Sequence, residues 1–240
     1  MEQALADALN AVSDGTDARF SAAVLDTGSA ASAVYGGDAY DTASIVKVDI
    51  LAALLLQAQD AGRRLTAQER SYATVMIQES DNDAATALWP EIGGEEGLDA
   101  ANQRLGLTET HGGRSGEWGL TQTTAADQLR LLREVFATGA ADGRAVLSEP
   151  SRAYVQQLMG RIVADQAWGV SAAADGATRT WLKNGWMPRS ATGLWVINSI
   201  GRVTAGGRTY LVSVLSGGHK DKDSGVALVE TAARAAVSAF

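Results

Sequence analysis

Read for the spacing of hydrophobic and polar positions, the chain divides into a short mixed start, a long helical middle and a strand-rich end. Leu5, Leu9 and Val12 share one helical face over residues 2–12. Residues 19–25 alternate as a strand, Asp26-Thr27-Gly28-Ser29 reads as a turn, and residues 31–35 form a returning strand closed by Gly36-Gly37. A helix follows Ser44 and runs to about Gly62; from Val48 to Leu56 it is too apolar to lie on a surface. Thr66-x-x-Glu69 is a capping box that opens a helix to Gln78, with Tyr72, Val75 and Met76 inward. Ser80-Asp81-Asn82 is a break before a helix over 83–89 that Pro90 is expected to end. Gly93-Gly94 is a turn, and residues 95–105 are helical with Gly106 as C-cap. Residues 108–123 form a glycine-rich loop long enough to suspect function. Thr124 caps a helix with Leu129, Leu132, Val135 and Phe136 in its apolar stripe. Ser148 and Pro150 open another, to about Val163. Strands are expected over 180–183, 194–203 and 208–215, the last two joined at Gly206-Gly207, and a closing helix over 223–240.

This order predicts an α/β (α+β) fold: an antiparallel sheet flanked by helices, built from residues 1–42 and 176–240. An all-helical lobe, residues 43–175, is inserted between them, with a cleft between the lobes. Composition narrows the function classes. A net charge of −8 argues against nucleic acid or an anionic membrane as partner. No apolar run approaches the ~20 residues a membrane-spanning helix needs. The chain has no cysteine and only two distant histidines, so neither a thiolate site nor a histidine-rich metal cluster is expected, and no cofactor is implied. Met1 to Leu5 reads as the start of an amphipathic helix without a signal peptide's basic and apolar regions. Compartment stays open: extracytoplasmic if a leader was trimmed, otherwise cytoplasmic. A monomer acting on a small molecule or peptide is expected.

Chemistry concentrates at Asp41-Thr42-Ala43-Ser44-Ile45-Val46-Lys47. A serine at a helix entrance and a lysine three residues on share a face, within hydrogen-bond reach. Free N–H groups and the positive helix end lie beside the serine. A lysine can take a serine's proton only if burial or nearby positive charge lowers its pKa, and the apolar run after Lys47 supplies burial. Only four lysines occur against sixteen arginines, and no other serine has lysine at this spacing. As a bare pair, the motif fits a helix lysine with its stem along apolar surface equally well.

Ser44-x-x-Lys47, Ser80-Asp81-Asn82 and Lys183-Asn184-Gly185, in that order, resemble the penicillin-recognising serine enzymes: class A β-lactamases and penicillin-binding D-alanyl-D-alanine peptidases. Ile92-Gly93-Gly94 adds to the similarity, and the order of elements is similar along nearly the whole chain. The resemblance implies a β-lactamase-like fold and a serine hydrolase that forms an acyl-enzyme on Ser44. Lys47 would take the serine proton, and Ser80 would relay one to the leaving group. Asn82 would bond a substrate amide together with Lys47. Lys183, expected on an inner strand, would hold positive potential in the cleft, and the N–H groups of Ser44 and Trp186 would form the oxyanion hole. Asn184, Gly185 and Trp186 would complete the substrate site. Read singly, Asn82 is a helix N-cap and Lys183 a strand solubility charge.

Several features depart from the family pattern. Asn184 stands where a carboxylate-binding Thr or Ser is usual, Trp186-Met187-Pro188 makes a heavier rim, and the interval from Ser44 to Ser80 is short. Glu117, the only acidic residue among residues 112–119 where the glycines of this loop fall, is the candidate deacylation base, with a solvated loop carboxylate as the alternative. Without such a base an acyl-enzyme hydrolyses slowly, so efficient β-lactamase activity is not expected.

Other chemistries compete. Asp26-Thr27-Gly28-Ser29 and Asp223-Ser224-Gly225 resemble the two halves of an aspartic protease, but the second lies at a helix start where Asp is an ordinary cap. His111 or His219 could serve a Ser-His-Asp hydrolase, yet no Gly-x-Ser-x-Gly elbow occurs, and both histidines are expected in exposed glycine loops. The non-enzymatic alternative is a catalytically weak or inactive scaffold retained as a binding module. Of the six tryptophans, Trp118, Trp181 and Trp186 are expected near the cleft.

Overall fold

The computed structural model describes residues 1–136, 145–176 and 178–240. Helix α1 (Glu2–Ser13) leads into β1 (Arg19–Asp26) and β2 (Ser32–Tyr35), then a short strand β3 (Tyr40–Asp41). The helical middle comprises α2 (Val46–Asp60), α3 (Ala67–Gln78), α4 (Asn82–Glu91) and α5 (Gly94–Leu105). After these come β4 (Gln122–Thr123), α6 (Ala125–Phe136) and α7 (Glu149–Met159). The chain closes with β5 (Trp181–Pro188), β6 (Trp195–Ala205), β7 (Arg208–His219) and α8 (Lys222–Ser238). The five long strands form one antiparallel sheet in the order β2-β1-β7-β6-β5. The two ends of the chain therefore meet where β1 pairs with β7 along its whole length.

Two apolar clusters follow from this layering. One joins α1 and α8 to the outer face of the sheet through Leu5, Leu9, Val24, Val212 and Val229. The other surrounds α2, whose residues Val46 to Leu56 are all buried, including Lys47 and Asp49. An element buried all round must be apolar all round, which is why α2 shows no amphipathic stripe. The capping box is present: Thr66 Oγ1 accepts from Glu69 N, and Glu69 accepts from Thr66 N. Gly106 closes α5 with φ near 75°, and Gly206-Gly207 turns the β6–β7 hairpin with two positive φ values.

Some boundaries differ from those the periodicity predicts. Pro90 lies inside α4, which continues to Glu91; a proline in a helix's last turn forfeits one N–H bond but leaves the preceding turns intact. Helix α7 ends at Met159 rather than Val163 because Gly160 interrupts it. Strand β5 reaches Pro188, a residue that fits because β5 is the sheet edge and not an inner strand. His219 is buried at the end of β7, its Nε2 2.8 Å from Ser216 Oγ, not in an exposed loop; His111 is exposed.

Candidate functional site

Ser44 sits in a single 3₁₀ turn, Ala43–Ile45, that runs directly into α2. Because the turn runs straight into the helix, Ser44 and Lys47, three residues apart, share one face. Lys47 Nζ lies 3.0 Å from Ser44 Oγ, 2.7 Å from Asn82 Oδ1, 2.6 Å from the Ser80 carbonyl and 3.2 Å from Ser80 Oγ. Lys183 Nζ donates to the same Ser80 hydroxyl at 2.9 Å and to the Asn184 carbonyl at 3.0 Å. Ser80 Oγ thus accepts from two amines, leaving its own proton free to be donated.

Backbone strain marks the same spot. Ala43 and Ser80 hold positive φ, 47° and 58°, which non-glycine residues rarely do unless their surroundings enforce it. At Ser80 the enforcement comes from both sides: α3 has just ended, and Asp81 already caps α4 by accepting from Ala84 N at 2.7 Å. Asn82, the first residue of α4, is therefore free of capping duty, and its amide oxygen accepts from Lys47. Before Ser44, the chain is pinned by Asn198 of β6, whose Nδ2 reaches the carbonyls of Asp41 and Thr42. The signal for Asn198 was an interruption: two polar residues, Asn198-Ser199, in the middle of an apolar strand.

Burial governs the electrostatics. Both amines are almost fully removed from solvent. Burial pushes Lys47 down from 10.5 to about 7, against the opposing pull of the Asp81 charge. Lys183 is held well below the ordinary lysine range by burial first and by the charge of Lys47 second. Burial therefore leaves an uncharged Lys47 amine beside Ser44 available near neutral pH.

Gly185 explains how β5 reaches the serine. A Cβ there would lie 2.7 Å from the Thr42 carbonyl, 2.8 Å from Ser44 N and 2.9 Å from Ile45 N. The strand abuts the Ser44 turn backbone to backbone, a distance that only glycine permits. Gly185→Ala is expected to force β5 off this turn, lowering stability by roughly 1–3 kcal/mol and separating Lys183 from Ser80. A denaturant melt and the rate of Ser44 modification check it; an unchanged rate with unchanged stability contradicts the packing argument.

The cleft beside Ser44 has a volume of about 360 Å³, walled by Trp118, Gly119 and Leu120 on one side and Trp186, Met187 and Pro188 on the other. The Trp118 ring lies 4.9 Å from Lys47 Nζ. Its loop is anchored where β4 pairs with β3 and where Thr42 N donates to the Thr121 carbonyl at 2.8 Å. Glu117 lies exposed on the same cleft. Trp181 does not reach the cleft; it packs edge-on to Phe136. A larger cavity, about 560 Å³, lies between α2, α3 and α7, far from this chemistry. Two of its arginines are already engaged, Arg63 by Glu69 and Arg70 by the Leu65 carbonyl.

Asn184 departs from the expectation. Its amide nitrogen donates to the carbonyls of Gln166 and Trp168, at 2.8 and 3.0 Å, and its oxygen accepts from Ser199 Oγ at 2.6 Å. Only 1 % of the residue is exposed, so its side chain holds the segment before β5 rather than offering a donor to the cleft. Alternation along β5 puts Lys183 and Gly185 on one face and Asn184 on the other.

Comparison with known proteins follows the same lines. LppW of Mycobacterium tuberculosis and of Mycobacterium bovis is 33% identical over 89 residues, which is 37% of this chain. The matched stretch spans only 28% of the LppW length. Among solved structures, TLA-1 extended-spectrum β-lactamase superposes with a TM-score of 0.85 at 15% identity, covering 99% of this chain and 98% of its own. PBP-A gives 0.83 at 20% identity, with 100% and 96% covered. A class A β-lactamase of Bacteroides cellulosilyticus gives 0.82 at 15%, with 99% and 97% covered. At such identities these likenesses establish the fold. The model of the beta-lactamase enzyme family matches residues 56–240, well over half of the sequence, and the chain belongs to that family.

Proposed function

We propose that the protein is a serine hydrolase that transfers an acyl group from an amide or ester to Ser44 and then to water. Candidate donors are a D-Ala-D-Ala-type peptide, a β-lactam or a small ester. The observation that carries this reading is the unbroken contact chain Ser44–Lys47–Ser80–Lys183, every link at 3.2 Å or less. In the acylation step, Ser44 Oγ bonds to the carbonyl carbon while its proton passes to uncharged Lys47. The bond to the leaving group breaks as Ser80 gives that group its proton and takes one back from Lys47. The backbone N–H groups of Ser44 and Trp186 are assigned to the developing oxyanion, where one such donor contributes ~3 kcal/mol. Gly185 brings their two segments together, and Asn82 Oδ1 holds the Lys47 amine at 2.7 Å. Deacylation needs a base for water, and Glu117 on the cleft is the residue assigned to it. Without a base held against the acyl-enzyme, water attacks it slowly, so the reading includes poor β-lactamase activity. A mutant of PBP-A is described as an acyl-enzyme complex with penicillin G, which supports acyl-enzyme chemistry on this fold.

Labelling with a fluorophosphonate and with fluorescent penicillin, read by mass spectrometry, tests the reading. A covalent adduct on Ser44 that is absent from Ser44→Ala is expected with at least one probe. No adduct with either would point instead to a scaffold that binds without reacting.

A further inference from the structure

The walls of the cleft speak to the substrate. A carboxylate drawn out of water into a cleft needs fixed donors aimed at it, or a cation whose charge is not already met by an anion. On the sheet side the place for such donors is closed. Residues 166–170 cross the third motif, so that both Asn184 N–H groups end on their carbonyls. Ser199, the cross-strand partner of Asn184, is fully buried; it donates to Asn184 Oδ1 and accepts from Val170 N at 2.9 Å. The cover fits tightly: Gly169 has φ of 82°, and a Cβ there would lie 2.2 Å from Ser199 Oγ.

The remaining cations are paired with an anion or turned away from the cleft. Arg189, the guanidinium lining the cleft among the described residues, forms an ion pair with Asp41, Nε 2.9 Å from Oδ2, so its charge is already met by a carboxylate. Lys47 and Lys183 turn their hydrogens inward to Ser44, Ser80, Asn82 and the Asn184 carbonyl. Lys222 lies 4.2 Å from the centre of the Trp186 ring and is not among the residues lining the cleft. The rim adds Glu117, so an incoming anion meets a like charge, while the walls present Trp118, Leu120, Trp186, Met187 and Pro188.

From this we infer that the site takes carboxylate-free acyl donors, neutral esters or amides with an apolar acyl or leaving group, in preference to carboxylate-bearing peptides and β-lactams. The inference rests on the acyl-Ser44 reading and narrows its substrate class.

A matched pair of donors tests it: 3-carboxyphenyl phenylacetate and its methyl ester, which share the acyl group and differ in the charge of the leaving phenol. Ser44 adduct formation is followed by mass spectrometry and phenol release by absorbance, with Ser44→Ala as the blank. The methyl ester is expected to acylate Ser44 faster by on the order of 10-fold or more. Benzylpenicillin is expected to react more slowly than the methyl ester. Equal or faster acylation by the carboxylate donor overturns the inference and leaves the acyl-enzyme reading standing. Failure of both esters and of a fluorophosphonate to modify Ser44 removes that reading, and the inference with it.

Discussion

Lys47→Ala is expected to slow acylation of Ser44 by about 10²–10⁴-fold, the range typical of a lost general base. Lys47→Arg is expected to do no better, because a guanidinium stays protonated and cannot accept the serine proton. The pH dependence carries the sharper test. Burial holds Lys47 at about 7, so the fraction of uncharged amine rises through neutrality and levels off above it. The wild-type acylation rate with a non-titrating ester is therefore expected to climb between pH 6 and 8 and to flatten by pH 9. A flat profile over that interval, or an alanine variant within tenfold of wild type, would remove Lys47 from the proton path. Burial explains why an ammonium at this position is disfavoured despite its four acceptors: the amine is removed from solvent.

The second large effect is on stability. Asp49 is fully buried on α2, two residues beyond Lys47. Its Oδ1 accepts from Gln128 Nε2 at 3.3 Å, and its Oδ2 has no partner among the described residues. Burial, helped a little by the charge of Asp127, raises its pKa from 3.8 to about 7. The sign follows from linkage. Between pH 4 and 7 the folded protein holds a proton that the unfolded chain has lost, so stability falls as pH rises through this window. The full penalty is present above pH 7. A shift of roughly three units corresponds to about 4 kcal/mol at most. Asp49→Asn keeps the shape, removes the charge and supplies an N–H that Gln128 Oε1, itself unpartnered, can accept. The variant is expected to be more stable than wild type by about 2–4 kcal/mol at pH 8, with the gap closing towards pH 4. Urea melts of both proteins at pH 4.5, 6 and 8 measure it. Equal stabilities at pH 8 would mean that Asp49 finds a partner and is charged at little cost.

Asp49 also bears on the site. Through Gln128 Nε2 it connects to Thr123 Oγ1 at 3.1 Å, and Thr123 meets Thr110 Oγ1 at 2.8 Å. These two threonines bracket the loop that carries Glu117 and Trp118. The loop that walls the cleft is thus tied to the helix bearing Lys47 through buried polar groups, while the strand carrying Lys183 is held by Gly185 packing and by Asn184. The protein places its reactive groups on elements that buried contacts fix on every side, which lets Ala43 and Ser80 keep their strained backbones.

What the residues alone determined is the local part of this description. The apolar run of α2, the Thr66–Glu69 box, the Ser148 cap, the Gly106 stop and the paired glycines of the β6–β7 turn depend on neighbours within a few positions. The nearest-neighbour chemistry of helices and turns is enough to read them. Serine, lysine, serine and lysine at positions 44, 47, 80 and 183 were also legible, as a motif. Only tertiary structure decided which partner each polar group would find. Asn184 could have donated to the cleft but is captured by carbonyls 16 and 18 residues earlier. His219 looked exposed until Ser216 and α8 enclosed it, and the burial of Asp49 against Gln128 of α6 has no counterpart in the local sequence. The physical reason is range. Periodicity and capping are settled by contacts one turn away, whereas hydrogen-bond partners and desolvation are set by segments dozens of residues distant, whose arrival only the packed fold specifies.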